Sequence, residues 1–340
     1  MKKSKLKTIF LCSSATQLSV YVCLYKSMTK SMVNPSNILV HVCNPNCNDR
    51  ARSNIYTYST LLGFRRLDLS NELFNKQKKN NINLIARRNP SNYELNEILS
   101  SFTINKHTVL EDGIGDYINK NIFSSNSFYY ICRYLIFLAA KYLSLLLKLI
   151  RMDLVSIFYL KVKLGMIKRV ELPLIGSRAY RIDSKIFTDV YKSISKPEPN
   201  NKKFKLIILG SIYSSKSDKY MEIASIMYKK INRWSINEGF PSSSVFYMQH
   251  PRSRLNLEDY TSNKFGWVSN NNQYTTAEEV ICLNTKAVVL SICSTSQIYA
   301  LNILKIPCVT VTNKSIRKHR IIQNYSNYLR SLGAKQIDLS

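Results

Sequence analysis

The chain has 340 residues, of which 45% are hydrophobic, and this composition argues against a disordered protein and fits about two domains. The formal net charge of +28 indicates either an anionic partner or a lysine-rich codon bias. The sequence has no zinc-finger spacing, no RNA-recognition aromatic motif and no basic region leading into heptads, so nucleic acid is not expected as the partner.

Short apolar runs alternate with longer helical patterns along the whole chain. Strands are predicted at 8–12, 38–42, 83–86, 108–110, 205–209, 245–248, 287–290 and 308–311, with helices between them, for example at 217–234 and 277–283. Such runs are typical of strands buried on both faces, and their alternation with helices predicts an α/β fold with parallel sheets. The polar stretch 196–203 contains Pro197 and Pro199. It predicts a linker between an N-terminal domain, 1–195, and a C-terminal domain, 204–340.

Two apolar segments raise the question of a membrane. Residues 9–24 follow several lysines, but polar residues interrupt the run and no clean cleavage site follows, so a strand and a helix are predicted there. Residues 134–164 are rich in Leu, Ile and Phe but are interrupted by Lys141, Lys148 and Arg151. This second segment is either a core helix or a helix that lies in the membrane interface.

Most of the eight cysteines lie inside apolar runs, which predicts reduced, buried thiols and a reducing compartment. Cys43 and Cys47 are four residues apart, with His41 nearby, which is half of a metal-site pattern. Because no second Cys/His pair completes it, no bound metal is expected.

An acidic motif, Glu111-Asp112-Gly113, directly follows the strand predicted at 108–110. Carboxylates at the carboxyl end of a parallel strand lie where open α/β sheets bind ligands. Crowding raises the pKa of such carboxyls, which suits Asp112 to act as a general base. The alternative is a polar turn that caps the next helix.

A second motif, His250-Pro251-Arg252, follows the strand predicted at 245–248. Proline ends the strand and fixes the backbone next to the imidazole, so His250 is expected at the carboxyl end of the strand. There it could donate a proton or hydrogen bond to a departing phosphate, and Arg252 could support an anionic ligand.

Two further polar motifs follow predicted strands in the C-terminal half. Ser294-Thr295-Ser296 precedes a helix predicted to end at 304, where hydroxyls and free backbone N–H groups can bind phosphate without a metal. An ordinary helix N-cap is the alternative. Gly210-Ser211 follows the strand at 205–209 and can approach a ligand closely.

The order of these motifs resembles that of bacterial sialyltransferases of glycosyltransferase family 52, the lipooligosaccharide type. The matching stretches are VLEDGIGDYIN, LIILGSIYSSKSDKY, VFYMQHPRSRL, TAEEV and SICSTSQIYALNILKIPC, with FLCSSATQLSVYVC resembling the family's first strand and helix. Capsular polysialyltransferases share the acidic and His-Pro motifs and are close competitors for the assignment.

The resemblance implies a glycosyltransferase-B architecture, with two doubly wound Rossmann-like domains that face a cleft. It implies an inverting enzyme, independent of metal and cofactor, that moves sialic acid from CMP-sialic acid to a terminal sugar of a surface glycan such as lipooligosaccharide. Such an enzyme would be cytoplasmic and peripheral on the inner face of the membrane, with the anionic membrane surface as a partner.

The resemblance also implies roles for individual residues. His250 would assist departure of CMP, Ser294 and Thr295 would bind its phosphate, and Glu278 would hold the ribose hydroxyls. The donor site would be completed by Gly210, Ser211, Pro251, Arg252 and Ser296. Two candidates remain for the general base: Asp112, with Glu111 and Gly113 on the acceptor side, and Asp218 after the LGS stretch.

Three other functions remain open at this point. One is transfer of a hexose or N-acetylhexosamine from another nucleotide sugar in the same type of cleft. Another is polysialic acid synthesis, in which the product is elongated repeatedly. The third is a basic, non-enzymatic protein that binds membranes or nucleic acid, and it predicts salt-sensitive binding without a CMP site.

Overall fold

The chain forms two compact units, residues 1–182 and 183–340. The computed structural model describes residues 7–12, 14–29, 38–42, 49–67, 80–87, 92–110, 154–172, 182–195, 203–210, 218–250, 256–271, 273–292, 294–314 and 320–339. In each unit these residues include a six-stranded sheet whose neighbouring strands all run parallel.

The first unit is a parallel sheet with helical connections. Its strands are β1 (Lys7–Cys12), β2 (Ile38–Val42), β3 (Arg65–Arg66), β4 (Asn80–Arg87), β5 (Phe102–Leu110) and β6 (Lys168–Leu172). Its described helices are α1 (Ala15–Thr29), α2 (Asp49–Leu61), α3 (Asn92–Ser101) and α4 (Leu154–Lys163). The strand order β3-β2-β1-β4-β5-β6 is that of a doubly wound dinucleotide-binding fold.

The second unit repeats this topology. Its strands are β7 (Leu206–Leu209), β8 (Val245–Met248), β9 (Val268–Ser269), β10 (Val288–Ser291), β11 (Cys308–Thr312) and β12 (Lys335–Asp338). Its described helices are α5 (Ser184–Ile194), α6 (Asp218–Asn237), α7 (Leu257–Phe265), α8 (Ala277–Leu283), α9 (Thr295–Tyr299) and α10 (Arg320–Ser331), and α9 continues as a π-helix, Ala300–Leu304. The order β9-β8-β7-β10-β11-β12 is the order of the first sheet.

Helix α5 lies on the C-terminal side of the division between the units. Asp183 caps it by accepting hydrogen bonds from the backbone N–H groups of Lys185 and Ile186, at 2.7 and 3.1 Å. Its buried face includes Phe187, whose ring packs against Tyr299 at the end of α9. This packing groups the helix with the second unit, whereas the predicted linker at 196–203 follows it in the sequence. Residues 196–202 lie outside the described residues.

The described cysteines match the expectation of buried, reduced thiols. Cys12, Cys23, Cys282 and Cys308 are free and buried. Burial raises the pKa of the Cys308 thiol to about 12, so it stays protonated at neutral pH. Cys43, Cys47, Cys132 and Cys293 lie outside the described residues. Of the helices that the structure describes, none has both the length and the hydropathy needed to cross a bilayer.

Candidate functional site

The ends of three neighbouring strands form the candidate site in the second unit. Leu209 at the end of β7 is in register with Met248 of β8 on one side and with Ser291 of β10 on the other. Neighbouring strands are about 4.8 Å apart, so the residues that follow these three lie along one short edge. The order of the sheet reverses between β7 and β10, and open α/β sheets bind ligands at such a point, outside the carboxyl ends of the strands.

Gly210 is the first residue beyond β7, and the space around it excludes any side chain. A Cβ atom there would lie 2.9 Å from the backbone nitrogen of His250, 3.0 Å from Cα of Gln249 and 3.0 Å from the Tyr247 hydroxyl. The Gly210 N–H also donates to the carbonyl of Met248, at 2.8 Å. Glycine therefore lets the chain leaving β7 pass directly against the backbone that carries His250. Ser211, the next predicted donor-site residue, lies outside the described residues.

Hydrogen bonds to helix α7 fix the backbone that leads to His250. The N–H of Gln249 donates to a carboxylate oxygen of Glu258, at 3.1 Å, and the N–H of Leu257 donates to the side-chain oxygen of Gln249, at 3.2 Å. His250 itself is half-buried, two residues beyond the end of β8, as the sequence predicted. Pro251 and Arg252 lie outside the described residues.

A tyrosine pair lies beneath this part of the edge. The hydroxyls of Tyr228 and Tyr247 are 3.0 Å apart, and both side chains are buried. Desolvation by burial, and then the neighbouring Tyr228, raise the pKa of Tyr247 well above its usual value, so its hydroxyl remains protonated. The neutral hydroxyl of Tyr247 therefore lies against Gly210 and is within hydrogen-bond distance of the Tyr228 hydroxyl.

The hydroxyl groups of the predicted cluster at 294–296 make different contacts. Ser294 caps helix α9, where its Oγ accepts a hydrogen bond from the N–H of Ser296, at 3.3 Å. The hydroxyl of Ser296 instead donates to a carboxylate oxygen of Glu278, at 2.6 Å. Ser294 and Thr295 are half-buried, whereas Ser296 is buried. Ser296 thus holds Glu278 in place, and Ser294 and Thr295 are the members of the cluster that reach solvent.

Two adjacent glutamates at the start of α8 have different roles. Glu279 completes a capping box, because its carboxylate accepts hydrogen bonds from the N–H groups of Thr275 and Thr276, at 2.7 and 3.0 Å. Glu278 is only 2% exposed and is tied to Ser296 on a different helix. A buried carboxylate held by a side chain from another element is a recognisable candidate for ligand binding, and Glu279 is sufficiently explained by the cap.

Sequence reasoning missed Ser291, the last residue of β10. Its side chain is 1% exposed, and its Oγ has no hydrogen-bond partner among the described residues. A polar residue that ends the otherwise apolar run Val288–Ser291 was the available signal.

Several other predicted residues have less structural detail. The acidic motif Glu111, Asp112 and Gly113 follows immediately after the observed end of β5 but lies outside the described residues. Asp218 is the first residue of helix α6, and nothing is described of its side chain. Among the residues that the structure describes, no group of three or more His, Cys, Asp or Glu side chains could hold a metal ion.

Comparison with solved structures finds the same fold in two bacterial sialyltransferases. The 2,6-sialyltransferase of Photobacterium sp. JT-ISH-224, solved with CMP and lactose, has a TM-score of 0.56 at 13% identity, covering 98% of this chain and 78% of that one. The α/β-galactoside α-2,3-sialyltransferase of Photobacterium phosphoreum has a TM-score of 0.57 at 11% identity, covering 98% of this chain and 99% of that one. A search of curated proteins found no significant match.

These likenesses confirm the predicted fold class, α/β with the two-domain glycosyltransferase-B architecture. A family model, "Alpha-2,8-polysialyltransferase (POLYST)", matches residues 27–313. The prediction of a bacterial sialyltransferase is thereby confirmed, and the non-enzymatic alternative is set aside. The matching family is the polysialyltransferase one that the sequence analysis kept as a close competitor of the lipooligosaccharide type. The chain belongs to the alpha-2,8-polysialyltransferase family of glycosyltransferases.

Proposed function

We propose that this enzyme transfers sialic acid from CMP-sialic acid to a terminal sugar of a surface glycan, in one inverting displacement that needs neither metal nor cofactor. The observation that carries the proposal is the shared edge of β7, β8 and β10, where Gly210, His250 and the Ser294–Thr295 pair follow strands in register. A nucleotide at this edge would lie at the switch point of its sheet. The Photobacterium sp. JT-ISH-224 enzyme, which shares the fold, was solved with CMP bound.

The phosphate of CMP is assigned to His250, Ser294 and Thr295. Its departure from the anomeric carbon breaks the glycosyl C–O bond and leaves the bonding electrons on a phosphate oxygen. His250 would donate a proton or hydrogen bond to that oxygen, while the Ser294 and Thr295 hydroxyls would donate to its neighbours. Protein donors of this kind can stabilise a single phosphate, so a divalent ion is not required.

The ribose hydroxyls are assigned to Glu278. Its carboxylate already accepts a hydrogen bond from Ser296, which fixes the orientation of the side chain before the nucleotide arrives. Hydrogen bonds from ribose hydroxyls to a buried carboxylate are charge-assisted and therefore strong. This fixed orientation is the reason to expect selectivity for a ribonucleotide.

The acceptor hydroxyl needs a base, for which Asp112 and Asp218 are the two candidates. The base removes the acceptor proton as its oxygen bonds to the anomeric carbon on the side opposite the departing CMP, which inverts the configuration. Substituting each aspartate by asparagine should separate them. Only substitution of the true base should abolish transfer while the affinity for CMP stays unchanged. If both variants keep their transfer activity, both assignments are wrong.

Family membership favours a second candidate for the acceptor. Members of a polysialyltransferase family would add sialic acid to a sialic acid end and repeat the step, whereas a lipooligosaccharide enzyme stops after one transfer. Incubation with CMP-sialic acid and labelled acceptors, ending either in galactose or in sialic acid, distinguishes the two. A ladder of products from the sialylated acceptor supports elongation, and a single product from the galactose acceptor supports one transfer.

The donor proposal is tested by titrating CMP and, in parallel, UDP while following thermal unfolding. CMP at a hundred times its dissociation constant should stabilise the fold by about 2.7 kcal/mol, because it binds only the folded state. UDP should do much less, and a chelator should not change turnover. Stabilisation by UDP but not CMP would instead favour a hexosyl or N-acetylhexosaminyl transferase.

A further inference from the structure

Large apolar side chains project into solvent from the turn that joins α4 to β6. Leu164 is 65% exposed and Met166 is 68% exposed, and Leu160 on the last turn of α4 is also exposed. The opposite face of α4 buries Val155 and Phe158 in the core of the first unit. The core contacts of α4 are therefore made by its inner face, and the exposed apolar side chains at its carboxyl end and in the turn do not contribute to that core.

The turn holds these side chains outward in a defined geometry. Gly165 adopts a left-handed conformation, φ +72°, and its N–H donates to the carbonyl of Val162, at 3.2 Å. The N–H of Met166 donates to the carbonyl of Lys161, at 2.9 Å, which completes a Schellman motif. In that motif the residue at the position of Met166 often packs back on the helix, but here the side chain stays in solvent.

Basic residues are frequent in the same segment of the chain. Lys161, Lys163, Lys168 and Arg169 lie in the run 154–170, which Asp153 and Glu171 bound. Lys161 and Lys168 are exposed, as are Leu164 and Met166, which lie between them in the sequence. We use the term α4–β6 patch for the surface made by Leu160, Lys161, Leu164, Met166 and Lys168.

The α4–β6 patch lies away from the ligand edge of its own sheet. The turn enters β6 at its amino end, and β6 runs parallel to β5. The carboxyl ends of these strands, where the acidic motif follows β5, are at the opposite edge. A large partner bound to the patch would therefore leave that edge open.

We propose that the α4–β6 patch docks this enzyme onto an anionic lipid bilayer. Exposed apolar residues flanked by lysines suit the interface, where apolar side chains enter the acyl boundary and ammonium groups meet lipid phosphates. The exposed Lys161 and Lys168 give this surface a positive charge that is complementary to an anionic membrane, as is the net charge of the chain. Helix α4 contributes to this contact through exposed side chains at its carboxyl end, which would meet the surface of the bilayer.

The test is co-flotation of the full chain with vesicles, using phosphatidylcholine alone and an equimolar phosphatidylcholine–phosphatidylglycerol mixture. Wild type should bind the mixed vesicles and should bind the neutral ones far more weakly. Lys161→Glu combined with Lys168→Glu should lower binding by roughly fivefold or more per lysine. Leu164→Ser combined with Met166→Ser should lower it by about tenfold, because inserted apolar surface is lost.

A matched control comes from the second unit. Ile226→Ser combined with Ile236→Ser removes two comparably exposed apolar residues of α6, so it should leave vesicle binding unchanged. All these positions are exposed, and each variant should retain wild-type thermal unfolding and CMP binding. Equal vesicle binding by wild type and both patch variants would overturn the proposal. The proposal would also be wrong if the patch joins two copies of the chain. In that case Leu164→Ser combined with Met166→Ser would dissociate a dimer and leave vesicle binding unchanged.

Discussion

The two sheets have the same strand order, yet the histidines in or after their second strands differ in position. His41 lies within β2, the second strand of its unit, where it is 8% exposed and its Nε2 is 3.0 Å from a Glu97 carboxylate oxygen. His250 follows β8, the second strand of the other unit, and is half-buried two residues beyond the strand end. A histidine inside a strand is held by the core, whereas one past the end lies where ligands bind. Position relative to the strand end therefore distinguishes a histidine of the core from one at the proposed ligand edge.

The largest effect should come from His250→Ala, which removes the proposed donor to the departing phosphate. Turnover should fall by roughly 10²–10⁴-fold, since general acid assistance contributes about that much. Thermal unfolding should change much less than turnover, because His250 is half-buried and hydrogen bonds of Gln249 with Glu258 and Leu257 hold the backbone that leads to it. Steady-state kinetics and a melting curve check both parts, and near-normal turnover would remove the role given to His250.

Adjacent carboxylates provide a second contrast between ligand edge and fold. Glu278→Gln should weaken CMP binding by about tenfold or more, because a hydrogen bond to a charged group contributes about 1.5–3 kcal/mol. Glu279→Gln is the matched control, since its carboxylate caps α8 and should affect melting but not affinity. Calorimetric titration of both variants decides the point, and equal loss of affinity in the two would contradict the assignment.

His41→Ala should have the opposite profile to His250→Ala. It removes one partner of a buried hydrogen-bonded pair and should lower the free energy of unfolding by about 1–3 kcal/mol. Glu97 is more exposed than His41, so Glu97→Gln should cost less. Chemical denaturation measures both. A His41→Ala enzyme that unfolds like wild type but loses turnover would break the comparison between the two histidines.

Much of the fold was predictable because interior strands are apolar. Strands 38–42 and 245–248 were predicted with the bounds that the structure has, and six others were located with shifted ends. The four strands that were missed, β3, β6, β9 and β12, are the four edges of the two sheets. Edge strands are short and carry polar or charged residues, such as Arg65–Arg66 and Lys335–Asp338, so they lack the apolar signal.

The candidate site was predictable to the extent that its residues follow interior strands. Gly210, His250 and Ser294 were found in this way, because each comes shortly after an apolar run. The different role of Ser296 within the hydroxyl cluster could not be predicted, because its hydrogen bond to Glu278 joins residues that are 18 positions apart on different helices. The packing of Phe187 on Tyr299 likewise leaves no local trace in the sequence.

The smallest effect on stability should come from Ser291→Ala, which tests whether the ligand edge extends beneath the hydroxyl cluster. The Oγ of Ser291 is buried and has no hydrogen-bond partner among the described residues, so removing it should leave the free energy of unfolding unchanged or raise it by up to about 1 kcal/mol. Thr310→Ala is the matched control, because it removes a buried hydroxyl of the neighbouring strand that lies 2.7 Å from the Ser326 hydroxyl, and it should destabilise the fold.

The CMP affinity of Ser291→Ala then tests the ligand edge. If Ser291 is only part of the strand and does not contact the nucleotide, the affinity of the variant for CMP will equal that of wild type. A severalfold loss of affinity in a protein that melts no earlier would instead place this hydroxyl in the nucleotide site, since a polar group buried without a partner in the free enzyme gains one when the ligand binds.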